Sequence, residues 1–425
     1  MLPAIPYDQL NQLEPNGSTA LHAATYFGHL DIVRLLLHEY GCQRHLRDRH
    51  GFTAYEKAQT DEMRQLYHRS SNESRFNDDS MAIKQRFEIL SSSINKIVIG
   101  DSDDDDGFAK PNKRHFIGYE TNEEVKNQLD DLNSVKALFQ SQVGRYIMGQ
   151  GMKLKLRKKA VYGEEEYAYV TSEQFRQESL RKIVDEDITT NHPDYKYCCH
   201  LLNEYIQQGT IESLLKLYTL ETPFYRKLLL WPSPLEFSLF MHLSDLKQRY
   251  YQGYSYRGVQ LTRHELSEYC WALQNRDSVL SLLTFASTSI NRDVAEHFAE
   301  KSSSSSSSDK ISVLLIFHFP QPCDTAINLS EIPEYQLPCI SNYENEQEVL
   351  IGPRTFFKVT GIESDQPNER YTIYLDNVCG EQHTVLKTLK LFLTHDVKKK
   401  TSKCFLIDHV FCTKNCSCSR MKLRQ

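Results

Sequence analysis

Three carboxylates stand on alternate residues in Glu344-Asn-Glu346-Gln-Glu348, directly ahead of the apolar run Val349-Leu350-Ile351. In an extended chain alternate side chains share a face, so this spacing predicts three acids crowded on one strand surface. Such crowding is costly without a purpose, and the plain alternative is a solvated strand end. Two other groups with chemical potential precede it: Tyr256-Arg257-Gly258, an arginine among apolar neighbours, and Phe285-Ala-Ser287-Thr288-Ser289. Taken singly, a strand arginine reads as a surface charge, and S-T-S as a sheet edge or helix cap. Near the end, Cys404, His409, Cys412, Cys416 and Cys418 crowd into fifteen residues. C-x3-C-x-C is not a common zinc-finger spacing, so free thiols are expected there and no metal is assigned.

The elements that must position these groups divide at Gly253. Before it, from about residue 193, YKYCCHLLNEYIQQ, TIESLLKLYTLETPFYRKLLLW and LEFSLFMHLSDLKQRYY carry helical periodicity, with Leu214, Leu215, Leu217, Tyr218 and Leu220 as core. After it come the strand-like runs YSYRGVQL, LLTFASTSI, ISVLLIFHF, TAINL, EQEVLI, TFFKVTGI and RYTIYLDNV. Helices first and strands second, without strict alternation, predict an α+β fold with a mainly antiparallel sheet. A helix is expected at NRDVAEHFAE, and the serine run 302–308 reads as a loop insertion.

The chain has 425 residues, 40% hydrophobic and 25% charged, with a net charge of −6. That balance gives no electrostatic footprint for nucleic acid. No 18-residue apolar run and no secretory pattern is present, so no membrane association and a cytoplasmic location are expected. Eleven cysteines, an odd number in a chain without a secretory pattern, predict free thiols. Near the N-terminus, GSTALHAATYFGHLDIVRLLLHEYG from Gly17 is echoed by GFTAYEKA from Gly51, a period of 34 residues. This resembles an ankyrin repeat, with Ala20, Leu21, Ala23 and Ala24 on one helix and Ile32, Val33, Leu35, Leu36 and Leu37 on the next expected to pack. Two copies are fewer than independent stability normally needs, so either degenerate repeats flank them or the segment packs on the rest of the chain. The replacements Tyr55, Glu56 and Lys57 in the second copy predict that the stack ends there. SSNESRFNDDS, DSDDDDGFAKPNK with Asp103 to Asp106, and KLKLRKK from Lys153 read as solvated linker and surface.

Taken in order, the helical LLKLYTLETPFYRKL, YRGV, F-x-STS, the R-D-V-A-E-H-F helix and S-x-Y-x-x-E-x-E-V-L-I resemble the Arg–Ser–Glu signature of the NAD-dependent protein-arginine mono-ADP-ribosyltransferases. The resemblance spans about residues 193 to 380. It implies a helical part packed on a split sheet or sandwich, with NAD as co-substrate and no metal. Glu348 would face the ribose, Ser287 would hold Glu348, and Arg257 would grip phosphate and ribose, with Tyr256, Gly258, Thr288 and Ser289 completing the nucleotide site. Glu346 would bind the acceptor guanidinium, and Tyr343 matches an aromatic of the acceptor-recognition turn, or is an ordinary packed tyrosine. Glu344 has no role and is expected to be solvated.

The familiar Pro-Pro after E-V-L-I is Gly352-Pro353, which is expected to loosen the backbone. The expected division is 1–69 ankyrin-like, 70–115 acidic linker, 116–192 connecting region, 193–380 catalytic domain and 381–425 extension. The reading is a transferase acting on an acceptor protein with an exposed arginine, the ankyrin-like segment recruiting a protein partner or restraining the enzyme. Alternatives are an NAD glycohydrolase using the same site, or an ankyrin-based interaction protein with an inactive transferase-like domain.

Overall fold

The computed structural model describes residues 6–69, 87–91, 116–118, 173–230, 233–275, 278–301, 310–365 and 370–378. Asp103 to Asp106, the KLKLRKK stretch, the serine run and the tail cysteines lie outside them.

The ankyrin-like segment comprises α1 (Tyr7–Leu10), α2 (Ala20–Tyr26), α3 (Leu30–His38) and α4 (Asp61–Gln65). Thr19 caps α2 through a reciprocal pair with His22, satisfying donors that the helix start would otherwise orphan. Leu21, Ala24, Val33, Leu36 and Leu37 are buried together with Leu10, Met63 and Tyr67, forming a small core of its own. Ala20, Ala23 and Ile32, expected inside, are exposed. The stack is too short to cover their faces.

The rest is α+β. Helices α5 (Glu173–Lys182), α6 (Tyr195–Gln208), α7 (Ile211–Thr219), α8 (Pro223–Leu230) and α9 (Ser233–Met241) come first, with a π-helical turn at Ile183–Asp187. The predicted second helix breaks into α7 and α8 at Leu220-Glu221-Thr222, where Leu220 turns to extended backbone. Tyr197, Leu201, Leu214, Tyr218, Phe224 and Leu239 bury with Phe285, Ile327 and Leu350 of the strand-rich half, fixing the helical layer against one side of the sheet. At about 25 cal/mol per Å² of apolar surface, burial on this scale is the main stabilising term.

Among the described residues there are nine strands: β1 (Phe87–Ser91), β2 (Phe116–Gly118), β3 (Tyr250–Thr262), β4 (Val279–Leu282), β5 (Ala286–Ser289), β6 (Lys310–Asn328), β7 (Glu348–Ile351), β8 (Phe356–Asp365) and β9 (Arg370–Asn377). Two helices, α10 (Arg263–Gln274) and α11 (Arg292–Lys301), interrupt them. The order is β2-β1-β4-β8-β9-β6-β3-β5-β7, and β6 also pairs with β7. Pairing is antiparallel except for β6–β9 and β1–β2. Strands β1 and β2 fall inside the stretches expected to be linker and connection, and β1 pairs with β4. ISVLLIFHF and TAINL, read as two strands, form the single β6, whose start pairs with β3 and whose end pairs with β7. One long strand thereby ties the site's two flanks together.

Gly258 is explained by close approach. A Cβ there would stand 2.0 Å from the Ala295 carbonyl oxygen and 2.6 Å from the Ala299 nitrogen. Only glycine lets α11 lie directly on β3. The Gly352-Pro353 pair does not loosen the chain as expected, because Gly352 is buried and its N–H donates to the Thr325 carbonyl at 2.7 Å.

Candidate active site

Strand register brings the predicted residues to one end of the sheet. Tyr256 of β3 pairs with Ser289 of β5, and Ser289 pairs with Glu348 of β7. Ser287, two residues earlier, is opposite Leu350, so Ser287, Ser289 and Glu348 share a sheet face. Arg257 is buried and donates from Nη1 to the Ser287 carbonyl at 2.6 Å. Thr288 donates to the Val349 carbonyl at 2.9 Å, fastening β5 to β7. Ser289 Oγ donates to the Glu346 carbonyl at 2.6 Å and so fixes the turn ahead of β7. Tyr256 is half-buried against Ala295, Leu314 and Ile316.

Glu348 is 1% exposed, and its Oε2 accepts from Ser341 Oγ at 2.9 Å. Ser341 stands in the quoted S-x-Y pattern, yet the sequence reading assigned it no role. Ser287 Oγ is buried and makes no hydrogen bond among the described residues. An orphaned hydroxyl in such a place costs about 1–3 kcal/mol unless a ligand group reaches it. The Ser287 hydroxyl and the Glu348 carboxylate on one face suit the hydroxyls of a ribose, whereas Arg257, one residue after Tyr256, leaves β3 on the opposite face and reaches the Ser287 backbone carbonyl.

The three alternate glutamates do not form a strand face. Glu344–Glu346 is a single 3₁₀ turn, Gln347 is left-handed at φ 45°, and the strand begins only at Glu348. Successive acids therefore enter different surroundings, which relieves the repulsion that an extended register would impose. Glu344, expected to be solvated, is half-buried and accepts from Thr53 Oγ1 at 3.3 Å. Burial pushes its carboxyl up to about 7, with Glu56 and Glu331 adding to the effect and Arg47 opposing it.

Glu346 is 1% exposed and carries a guanidinium. Arg69, in the last described stretch of the ankyrin-like segment, donates from Nε to Oε1 at 2.9 Å and from Nη2 to Oε2 at 3.1 Å. Its Nη1 donates to Glu221, and the Thr219 carbonyl lies 3.5 Å from Nη1 and 3.4 Å from Nη2. The Tyr343 ring, itself buried, lies 3.9 Å from the Arg69 guanidinium carbon and 5.0 Å from that of Arg44. Burial opposes the charge on Arg69 but is outweighed by Glu346 and Glu221, which hold its pKa above the ordinary arginine value. Removing one member of such a buried group costs about 3–5 kcal/mol, because its partners are left charged and dry. Neither Arg69 nor Glu221 was marked by the sequence reading. Arg69 lies outside the resemblance, Glu221 falls inside its helical LLKLYTLETPFYRKL stretch without a role, and no local periodicity points to either.

Further contacts tie the segment to the helical layer and to the loop after β6. His45 Nδ1 and Tyr197 OH lie 2.8 Å apart, Tyr7 stacks on Tyr197 with centroids 6.5 Å apart, and Arg47 reaches Glu331 at 3.7 Å. The segment packs on the rest of the chain, the second of the two arrangements expected for a stack this short.

Cys42, Cys198, Cys199, Cys270, Cys323 and Cys339 are free thiols. Among the described residues there is no cluster suited to a metal and no helix long and apolar enough to cross a membrane. A separate groove of about 370 Å³, lined by residues including Tyr254, His318, Glu363, Tyr374 and Asp376, contains none of the residues predicted for the site.

Residues 9–58 match the family model described as ankyrin repeats (many copies). No curated protein matches the sequence. Solved structures similar to this chain include the Vis toxin, an ADP-ribosyltransferase from Vibrio splendidus, at 17% identity and TM-score 0.25, covering 56% of this chain and 86% of that one. A second is the ADP-ribosyltransferase HopU1 of Pseudomonas syringae pv. tomato DC3000, at 13% identity and TM-score 0.34, covering 49% of this chain and 98% of that one. A third is the Clostridium limosum C3 exoenzyme, at 12% identity and TM-score 0.25, covering 52% and 94%. At these values the similarities decide nothing about this chain's chemistry.

Proposed function

We propose that the chain is an NAD-dependent protein-arginine ADP-ribosyltransferase, with residues 193–380 as its catalytic unit and 1–69 as an ankyrin-like segment that engages other proteins. The observation that supports it best is Glu346 holding a guanidinium through both carboxylate oxygens, two residues before a buried Glu348 that shares a sheet face with Ser287.

NAD, when bound, supplies an ADP-ribosyl group whose bond to nicotinamide is weakened by the positive ring. In this reading Arg257 holds phosphate and ribose, and the free Ser287 hydroxyl meets the same ligand. Glu348, oriented by Ser341, sets a fixed negative charge against the positive charge that develops on the ribose as nicotinamide departs. Glu346 orients an acceptor guanidinium with one nitrogen toward the ribose carbon and takes the proton released as the new carbon–nitrogen bond forms. Arginine is protonated at any physiological pH, so that proton acceptor is a requirement of the chemistry.

One observation favours hydrolysis as a second reading. Glu346 is already engaged by Arg69, which leaves water as the accessible acceptor while that contact lasts. Incubating the full chain with labelled NAD, with poly-arginine or in buffer alone, distinguishes the two. Label on poly-arginine is the expected result. Free ADP-ribose alone would favour the hydrolase, and no consumption of NAD would remove both.

A further inference from the structure

The Arg69 contact carries a consequence beyond catalysis, and it rests on the reading of Glu346 as the acceptor carboxylate. Four groups converge on the Arg69 guanidinium: the Glu346 carboxylate, the Glu221 carboxylate, the Thr219 carbonyl and the Tyr343 ring. They come from the α7–α8 junction and from the turn before β7, so the site is built by the catalytic half. Only its occupant comes from the N-terminal segment.

We infer that Glu221, Glu346, the Thr219 carbonyl and the Tyr343 ring form a two-carboxylate guanidinium site, and that Arg69 fills it, so that an acceptor arginine must displace the end of the ankyrin-like segment. Arg69 turns Nε, Nη1 and Nη2 each to an acceptor oxygen, so its guanidinium is held on every side. The side chain is 1% exposed, so no external guanidinium reaches the site while it stays. Displacement need not unfold the segment, because its core of Leu21, Val33, Leu37 and Met63 is separate from the cores of the sheet and helices, but it does part Tyr7 and His45 from Tyr197 of the helical layer. Its attachments near the site are polar: Thr53 to Glu344, Arg47 to Glu331 and Arg44 beside Tyr343. A protein that binds the ankyrin-like segment and draws it aside would open the site. Glu221 becomes a specificity residue that pairs the acceptor's outer nitrogen.

The test uses the full-length chain and the variants R69Q, R69K and R69Q/E221Q. A tethered competitor acts at an effective concentration in the millimolar range, so R69Q is expected to lower the KM for agmatine by about tenfold or more. Acceptor-free NAD hydrolysis should stay within twofold. Agmatine without NAD should raise the Tm of R69Q but not of the wild type, and R69Q/E221Q should lose most of that rise. R69K, which keeps the charge but not the fork, should fall between and covers the case in which R69Q does not fold. An unchanged agmatine KM together with no Tm response in R69Q would overturn the inference, as would ADP-ribose found on Arg69 of the wild type. A Tm rise in R69Q with no NAD consumption by any variant would uphold the guanidinium site and remove the transferase reading instead.

Discussion

Glu346 and Glu348 are two residues apart, both 1% exposed, and held by opposite means. Glu348 is placed by its neighbourhood: strand register against Ser289 and a hydrogen bond from Ser341, seven residues away. Glu346 is neutralised from a distance, by an arginine 277 positions earlier in the chain and by a turn that swings it away from the strand. The difference separates a fixed electrostatic device from a switchable one. A carboxylate built into the sheet cannot lose its surroundings without unfolding, whereas one satisfied by a docked segment can exchange its partner.

The comparison breaks first at Glu348. Glu348→Gln keeps the shape and can still accept from Ser341, but it removes the charge opposed to the developing ribose cation. Transfer and hydrolysis should both fall by about two to three orders of magnitude with NAD affinity little changed. Steady-state NAD consumption within a few-fold of wild type would show that Glu348 is not the catalytic carboxylate.

A smaller effect is expected where the sheet is held. Gly258→Ala drives a methyl group into the backbone of α11 beside Arg257, and the overpacking should destabilise the chain by about 1–3 kcal/mol. Urea midpoints measure this. No change would mean that α11 does not sit directly on β3.

The smallest expected effect concerns Glu344, which ties the site's turn to Thr53. Its folded pKa of about 7 lies above the ordinary carboxylate value of 4.5, so the fold binds more protons than the unfolded chain between those pH values. Stability should therefore rise as the pH falls from about 7 toward 4.5, and the cost of the buried charge is full above 7. Glu344→Gln should lack that gain and exceed the wild type in stability at pH 8. Parallel urea midpoints for the two proteins between pH 5 and 8 would contradict the burial of Glu344.

What the sequence made legible follows from the same contrast. The helix Tyr195–Gln208 has the limits read from its apolar spacing, and the strands that carry Tyr256, Ser289 and Glu348 are legible as short apolar runs, although the register that joins them is not. Periodicity reports which face a local element buries. It does not report a left-handed residue such as Gln347, which no glycine or asparagine announced and which rotated the acids out of register. Nor could it merge ISVLLIFHF with TAINL across Pro320 and Pro322, since proline usually ends a strand unless the strand bends or lies at an edge. Arg69 was the least legible. A lone arginine beyond a repeat looks like surface, and only tertiary packing supplied its two carboxylates.

The central claim, that Glu346 selects the acceptor while Glu348 serves both half-reactions, is tested most directly by one ratio. ADP-ribosyl-agmatine and free ADP-ribose are measured together for the wild type and Glu346→Gln at saturating agmatine. The glutamine keeps the turn but removes the ionic clamp and the nearby proton acceptor, so the ratio should fall about a hundredfold, equivalent to roughly 3 kcal/mol, while hydrolysis persists. An unchanged ratio would contradict the assignment of Glu346 and, with it, the arginine-specific reading.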